Sequence, residues 1–164
     1  MAVHIYFGDG KGKTTAATGL AARCAGYGKS VAVYRFLKCD NSGECLALSE
    51  DIDFYCVDEH FGFVFDMSDG ERNKIKSKTR MLFEKAKSEM RDLLVLDEIL
   101  GAIEVGFVDE QEVLDFIGNA DFEIVLTGRY ASEKLICSAD YVTEMKKIKH
   151  IYDKGIGARK GIEY

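Results

Sequence analysis

Apolar residues arrive along this chain in short runs separated by polar stretches. Runs at residues 2–7, 30–36, 52–57, 92–98, 122–126 and 141–145 all have the length of strands. In 30–36, 92–98 and 122–126 the apolar residues are consecutive rather than alternate, which predicts strands covered on both faces. Between the runs the spacing changes to that of a helix. Ala17, Leu20, Ala21 and Cys24 form one stripe over residues 16–25, and Gly26 and Gly28 end it. Ser68 and Glu71 have capping-box spacing ahead of a long helix to about residue 90, with Ile75, Thr79, Leu82, Ala86 and Met90 on its buried side. Asp109 and Glu112 repeat that spacing ahead of a helix to about residue 117, and residues 131–138 predict a short one. Residues 38–44 read as a polar loop. Residues 146–164, with Gly155, Gly157 and Gly161, read as an irregular path over the sheet edge. Alternating strands and helices predict an α/β fold: one domain over residues 1–164, a mostly parallel sheet with helices on both faces, and ligands at the strands' C-terminal ends.

The chain's 164 residues suffice for one core, since a domain of this size buries roughly 70% of its unfolded surface. A formal net charge of −6 argues against non-specific nucleic-acid binding, which needs a basic surface. No apolar run approaches the roughly 20 residues of a membrane span, and no signal-peptide pattern opens the chain. Five cysteines without a Cys-x-x-Cys pair read as reduced thiols in a cytoplasmic protein. Cys56 and His60 stand four apart, but no second pair completes a metal site. The basic residues from Arg72 to Arg80 read as a solvated helix face.

The chemistry concentrates between the first strand and the first helix, in Gly8-Asp9-Gly10-Lys11-Gly12-Lys13-Thr14-Thr15. Strand, glycine loop and helix make a phosphate-binding P-loop, so the fold is expected to be P-loop NTPase-like. Glycines let successive N–H groups aim at one point, and the helix start adds its positive end. Lys13 can reach a bound phosphate, and the Thr14 hydroxyl can ligate Mg²⁺. The usual first glycine of the motif falls on Phe7, so the loop is a shortened form. Downstream, residues 92–98 end in Asp97-Glu98, the layout of a strand-end acid that holds Mg²⁺ near the phosphates. Either carboxylate could also cap the next helix. Arg129, after the strand at 122–126, stands where an arginine could meet phosphate or remain on the surface. Phe61, Phe63 and Phe65 alternate onto one face, as in ordinary core packing.

Taken in order, these motifs resemble the P-loop ATP:corrinoid adenosyltransferases. The resemblance runs through the shortened loop, Phe36-Leu-Lys38, Ser42-Gly43-Glu44, Leu94 to Glu98, Thr127-Gly128-Arg129, Ala139-Asp140, Val142 to Met145, Lys149-His150 and Gly161 to Tyr164. It implies transfer of the 5′-deoxyadenosyl group of ATP to cobalt(I) of a corrinoid, cobalamin or a precursor, with release of triphosphate. Lys13, Thr14, Glu98 and Arg129 would be catalytic. Thr14, Asp97 and Glu98 would hold Mg²⁺, and residues 8–15 with Lys149 and His150 would bind ATP. The nucleotide would sit reversed in the loop, freeing C5′. Phe63 and Phe65 would lie under the corrin ring, where the family carries Gly-Phe-x-Trp. The family also usually has Gln-Phe at Arg35-Phe36 and Lys-Gly at Lys38-Cys39. Some members cover the corrinoid with an N-terminal extension; this sequence starts at its first strand, and no such cover is expected. A reduced, flavodoxin-like flavoprotein is the implied electron donor, and a homodimer the implied assembly. Two other functions fit the residues: an ATPase or phosphotransferase using Glu98 as base, and a non-catalytic ATP- or corrinoid-binding module.

Overall fold

The computed structural model describes residues 1–38, 42–57 and 67–164. Six strands form one all-parallel sheet: β1 (Val3–Phe7), β2 (Val31–Arg35), β3 (Asp53–Cys56), β4 (Leu93–Asp97), β5 (Glu123–Thr127) and β6 (Tyr141–Glu144). Their order across the sheet is β3-β2-β4-β5-β1-β6. β2 and β4 are buried at every position, as consecutive apolar residues predicted.

Side chains alternate between the two faces, and the helices cover both. Val31, Val33, Leu93, Val95 and Val125 face α1 (Lys13–Ala25), whose Ala17 and Ala21 let it pack close. Ala32, Tyr34, Leu94, Leu96 and Ile124 face the opposite way. They meet Ile75, Leu82 and Phe83 of α3 (Asp69–Lys87), Leu100 of α4 (Ile99–Glu104), Val113 and Ile117 of α5 (Glu110–Asn119), and Leu135 of α6 (Glu133–Ser138). One further short helix, α2, spans Gly43–Leu48. Among the described residues no helix is long and apolar enough to cross a membrane, and no disulfide joins the described cysteines.

Several boundaries differ from expectation for local reasons. α1 starts at Lys13 rather than residue 16, because the Gly12 carbonyl already accepts from the Ala16 N–H. α3 stops at Lys87, and Met90 is 87% exposed rather than buried. There the chain turns so that the Glu89 carboxylate accepts from the Tyr34 hydroxyl at 2.6 Å and meets Arg91 at 2.8 Å. Burial and that bond push the Tyr34 phenol up. Part of the expected loop at residues 38–44 is the first turn of α2.

The capping box at α3 is complete. Ser68 accepts from the Glu71 N–H, and the Glu71 carboxylate accepts from the Ser68 N–H and hydroxyl. The Ser68 hydroxyl holds the Glu71 carboxyl below its ordinary range. A lowered carboxylate contributes stability above its unfolded pKa and loses it as pH falls through the folded one. Ser68→Ala should therefore lower the melting temperature at neutral pH, and by less in acid; scanning calorimetry at the two pH values tests this. At α5 only half of the expected box forms: Asp109 accepts from the Gln111 and Glu112 N–H groups, while the Glu112 carboxylate pairs with Arg80.

Candidate functional site

Parallel strands bring their C-terminal ends to one side, and five strand-end segments meet there. The glycine loop leaves β1 and packs against the end of β6. The Gly10 N–H donates to the Met145 carbonyl at 2.6 Å, and the Lys147 N–H donates to Asp9 at 2.9 Å. That bond lowers the Asp9 pKa. A Cβ on Gly8 or Gly10 would come within 2.5 Å of the Met145 oxygen, so only glycine permits this approach. Lys13 points back into the loop and donates to the Gly8 and Gly10 carbonyls at 2.7 and 2.8 Å. Burial lowers its pKa; Glu98 opposes the shift, while Arg129 and Lys38 reinforce it. Positive charge is crowded here despite the acidic chain, as suits a site for a polyanion.

Strand alternation carries the acid to the same place. Asp97 follows Leu93 and Val95 on the face toward α1, and it is 1% exposed. The Thr14 and Thr127 hydroxyls donate to Asp97 Oδ1 at 2.9 and 2.7 Å. Lys38, three residues past β2, donates to Asp97 Oδ2 at 2.9 Å and to Thr14 Oγ1 at 2.8 Å. Its ammonium is also 3.8 Å from Glu98 Oε1. Thr14, Asp97 and Glu98 thus turn hard oxygens toward one cationic point, a donor set that fits Mg²⁺. No group of three or more His, Cys, Asp and Glu gathers among the described residues, so a metal here would depend on nucleotide oxygens and water as well.

Glu98 occupies the N-cap position of α4, but its side chain makes no capping bond. It has φ 61, the left-handed region, and is the one non-glycine among the described residues that does. Its N–H donates to Thr127 Oγ1 at 2.9 Å, which fixes this turn and leaves the carboxylate directed at Lys38. Such backbone strain tends to sit at functional sites. Glu98→Gly should relieve it and raise unfolding stability by about 1 kcal/mol. The same change should remove activity; denaturant melts beside a transfer assay test the trade.

A cavity of about 680 Å³ opens beside this cluster, a size that suits a nucleotide. Thr14, Thr15 and Lys38 line one side, and Gly161, Ile162 and Glu163 line the other. Lys11 turns outward to hold this tail, donating to the Ile162 carbonyl at 2.7 Å and pairing with Glu163 at 3.2 Å. Hydrogen bonds from Arg159 hold the Glu163 carboxyl at about 2. The tail thus runs over the phosphate loop. Arg129 is exposed, with its carbonyl accepting from the Gly8 N–H and its charge near Lys13. Lys149 and His150 do not line the cavity; His150 Nδ1 instead accepts from the Tyr152 N–H, capping a single 3-10 turn at Ile151–Lys154. Phe63, Phe65 and His60 lie outside the described residues.

The family described as ATP:corrinoid adenosyltransferase BtuR/CobO/CobP matches residues 1–164. The chain belongs to this family. It is similar to the corrinoid adenosyltransferase of Pseudomonas aeruginosa, 34% identical over 98% of this chain and 82% of that one. It is similar to that of a Sinorhizobium species at 35% identity, over 96% of this chain and 77% of the relative. The Escherichia coli corrinoid adenosyltransferase is 30% identical, over 98% and 84%. In this member of the family the phosphate loop, Asp97 and Glu98 meet at the strands' C-terminal ends, with Arg129 exposed beside them. Two members of the cluster, Lys38 and Thr127, stood in the resembling motifs without a role of their own. Both sit at C-terminal ends of parallel strands, where ligands bind, and that rule could have singled them out.

Proposed function

We infer that this chain performs the reaction for which its family is named, transferring the adenosyl group of ATP to a corrinoid. The match over the whole of residues 1–164 carries this reading. Cobalt(I) of the corrinoid, the nucleophile, attacks C5′ of ATP. Its electron pair forms the cobalt–carbon bond, and the C5′–O bond breaks with its pair going to triphosphate. Cobalt(I) is nucleophilic enough that no side-chain base is required. The protein must align C5′ with cobalt and stabilise charge on the leaving group.

On this reading the loop N–H groups and Lys13 cradle the triphosphate, and Arg129 adds a second cation. Gly8 to Thr15 supply the cradle, with Thr14, Asp97 and Glu98 holding Mg²⁺. Bound there, Mg²⁺ would draw negative charge from the departing triphosphate. Lys149 and His150 would reach the nucleotide only with a rearrangement of the tail. Phe63 and Phe65 would exclude a lower ligand from cobalt. A reduced flavoprotein would supply the electron that takes cobalt(II) to cobalt(I), and the assembly would be a homodimer.

The test is anaerobic mixing of protein, Mg-ATP and chemically reduced cob(I)alamin, with identification of the phosphorus product. Adenosylcobalamin with triphosphate is expected. Unchanged cobalt with ADP and phosphate would make the protein an ATPase; tight ATP binding without turnover would make it a binding module.

A further inference from the structure

The oxygens suited to the metal already hold a cation, and it belongs to the protein. Lys38 Nζ lies 2.8 Å from Thr14 Oγ1, 2.9 Å from Asp97 Oδ2 and 3.8 Å from Glu98 Oε1. A Mg²⁺ ion sits about 2.1 Å from its oxygens. An ion bonded to these three would therefore crowd the ammonium, and the two positive charges would repel through a partly buried, low-dielectric site. Asp97 is 1% exposed, so its charge demands a counter-ion at all times.

We propose that Lys38 is the site's internal counter-cation: it fills the metal position until nucleotide arrives, then yields those oxygens to the metal and pairs with the triphosphate. The proposal rests on reading Thr14, Asp97 and Glu98 as metal-holding residues. Lys38 borders the cavity beside Thr14 and Thr15, and its side chain is 28% exposed, so its flexible stem has open space to move into. Lys13 cannot serve this purpose, because its ammonium is engaged by the Gly8 and Gly10 carbonyls. Two carboxylates and a hydroxyl attract a free divalent ion too weakly to expel a bonded ammonium. ATP supplies both oxygens for the metal and an anionic partner for the lysine. Metal and nucleotide then enter together, and Lys38 touches substrate only once they have.

Mn²⁺ is the probe, with binding read by electron paramagnetic resonance on the full chain without nucleotide. The parent protein should bind Mn²⁺ weakly. Lys38→Met, which removes the competing charge, should bind it about tenfold more tightly. Lys38→Gln should do the same while keeping a hydrogen-bond donor against Asp97, and it decides the matter if Lys38→Met fails to fold. Lys38→Arg, which keeps the charge, should behave as the parent and show that any gain comes from charge rather than from altered packing. Both neutral variants should weaken Mn-ATP binding. Unchanged or weaker nucleotide-free Mn²⁺ binding in the neutral variants would overturn the proposal. Glu98→Gln and Asp97→Asn test the underlying reading separately: if both leave Mn-ATP binding intact, the metal assignment itself fails. If either weakens Mn-ATP binding while the Lys38 variants leave nucleotide-free Mn²⁺ binding unchanged, only the counter-cation role fails.

Discussion

Lys13→Ala should lower adenosyl transfer by about a hundred- to a thousand-fold, the usual cost of removing one group that stabilises developing charge. Charge accumulates on the triphosphate as C5′ departs, so kcat should fall along with ATP affinity. The fold should survive. Lys13 contributes two hydrogen bonds, to Gly8 and Gly10, at a partly exposed helix start, and alanine is the better helix former. The expected stability cost is about 1–2 kcal/mol. Lys13→Arg should fail as a substitute, because a planar guanidinium does not match the gap between those carbonyls. Lys11→Ala is the informative contrast. Its ammonium is spent on the tail, through Ile162 and Glu163, so its removal should loosen that segment and reduce transfer far less. Circular dichroism beside the anaerobic assay separates these outcomes. Full transfer by Lys13→Ala would end the phosphate-loop assignment.

The two lysines also show what the sequence could and could not convey. Gly8 to Thr15 announced a phosphate loop because strand, glycines and helix are local and contiguous. That Lys11 turns outward was not local. It depends on where Ile162 and Glu163 return, more than a hundred residues later. The buried strands were legible for a similar reason: a run such as Leu93 to Leu96 has no polar face to present to water. The helices α2 and α4 were not: α2 buries no residue that would mark a face, and α4 follows β4 after a single residue. α4 also starts directly from Glu98 in the left-handed region, a conformation that a glutamate does not announce.

The parts that Lys38 and Thr127 play around Asp97 failed to announce themselves for a different reason. Lys38 and Asp97 are 59 residues apart and meet only because β2 and β4 pair in register, Arg35 opposite Asp97. Thr127 reaches Asp97 from β5 on the other side of β4. One-dimensional spacing holds no trace of such a pairing. What the sequence does hold is alternation: Leu93, Val95 and Asp97 share a face, as do Val125 and Thr127. Combined with the side of the sheet that α1 covers, that alternation would have put Thr127, as well as Asp97, next to Thr14.

Asp97→Asn should cost about 3 kcal/mol of stability as well as most of the activity, whereas Glu98→Gln should cost activity with little stability. The two carboxylates are adjacent, yet their surroundings differ. Asp97 is 1% exposed and accepts three bonds, from Thr14, Thr127 and Lys38. An asparagine keeps one acceptor oxygen. If that oxygen faces Lys38, the hydroxyls of Thr14 and Thr127 lose the acceptor for their protons. If it faces the hydroxyls, the new N–H₂ group confronts an ammonium, and neither can accept. Either way a buried donor goes unsatisfied and the lysine's charge loses its partner. Glu98 is only half-buried, and its contact with Lys38 is 3.8 Å, too long for a hydrogen bond. Glutamine there disturbs no buried network, but it removes charge from the oxygens proposed to hold the metal. Urea unfolding of both variants, beside Mg-ATP binding, tests the asymmetry. Equal stability losses would mean that Asp97 is not the anchor of the network, and unimpaired Mg-ATP binding in both would remove the strand-end acids from the metal site.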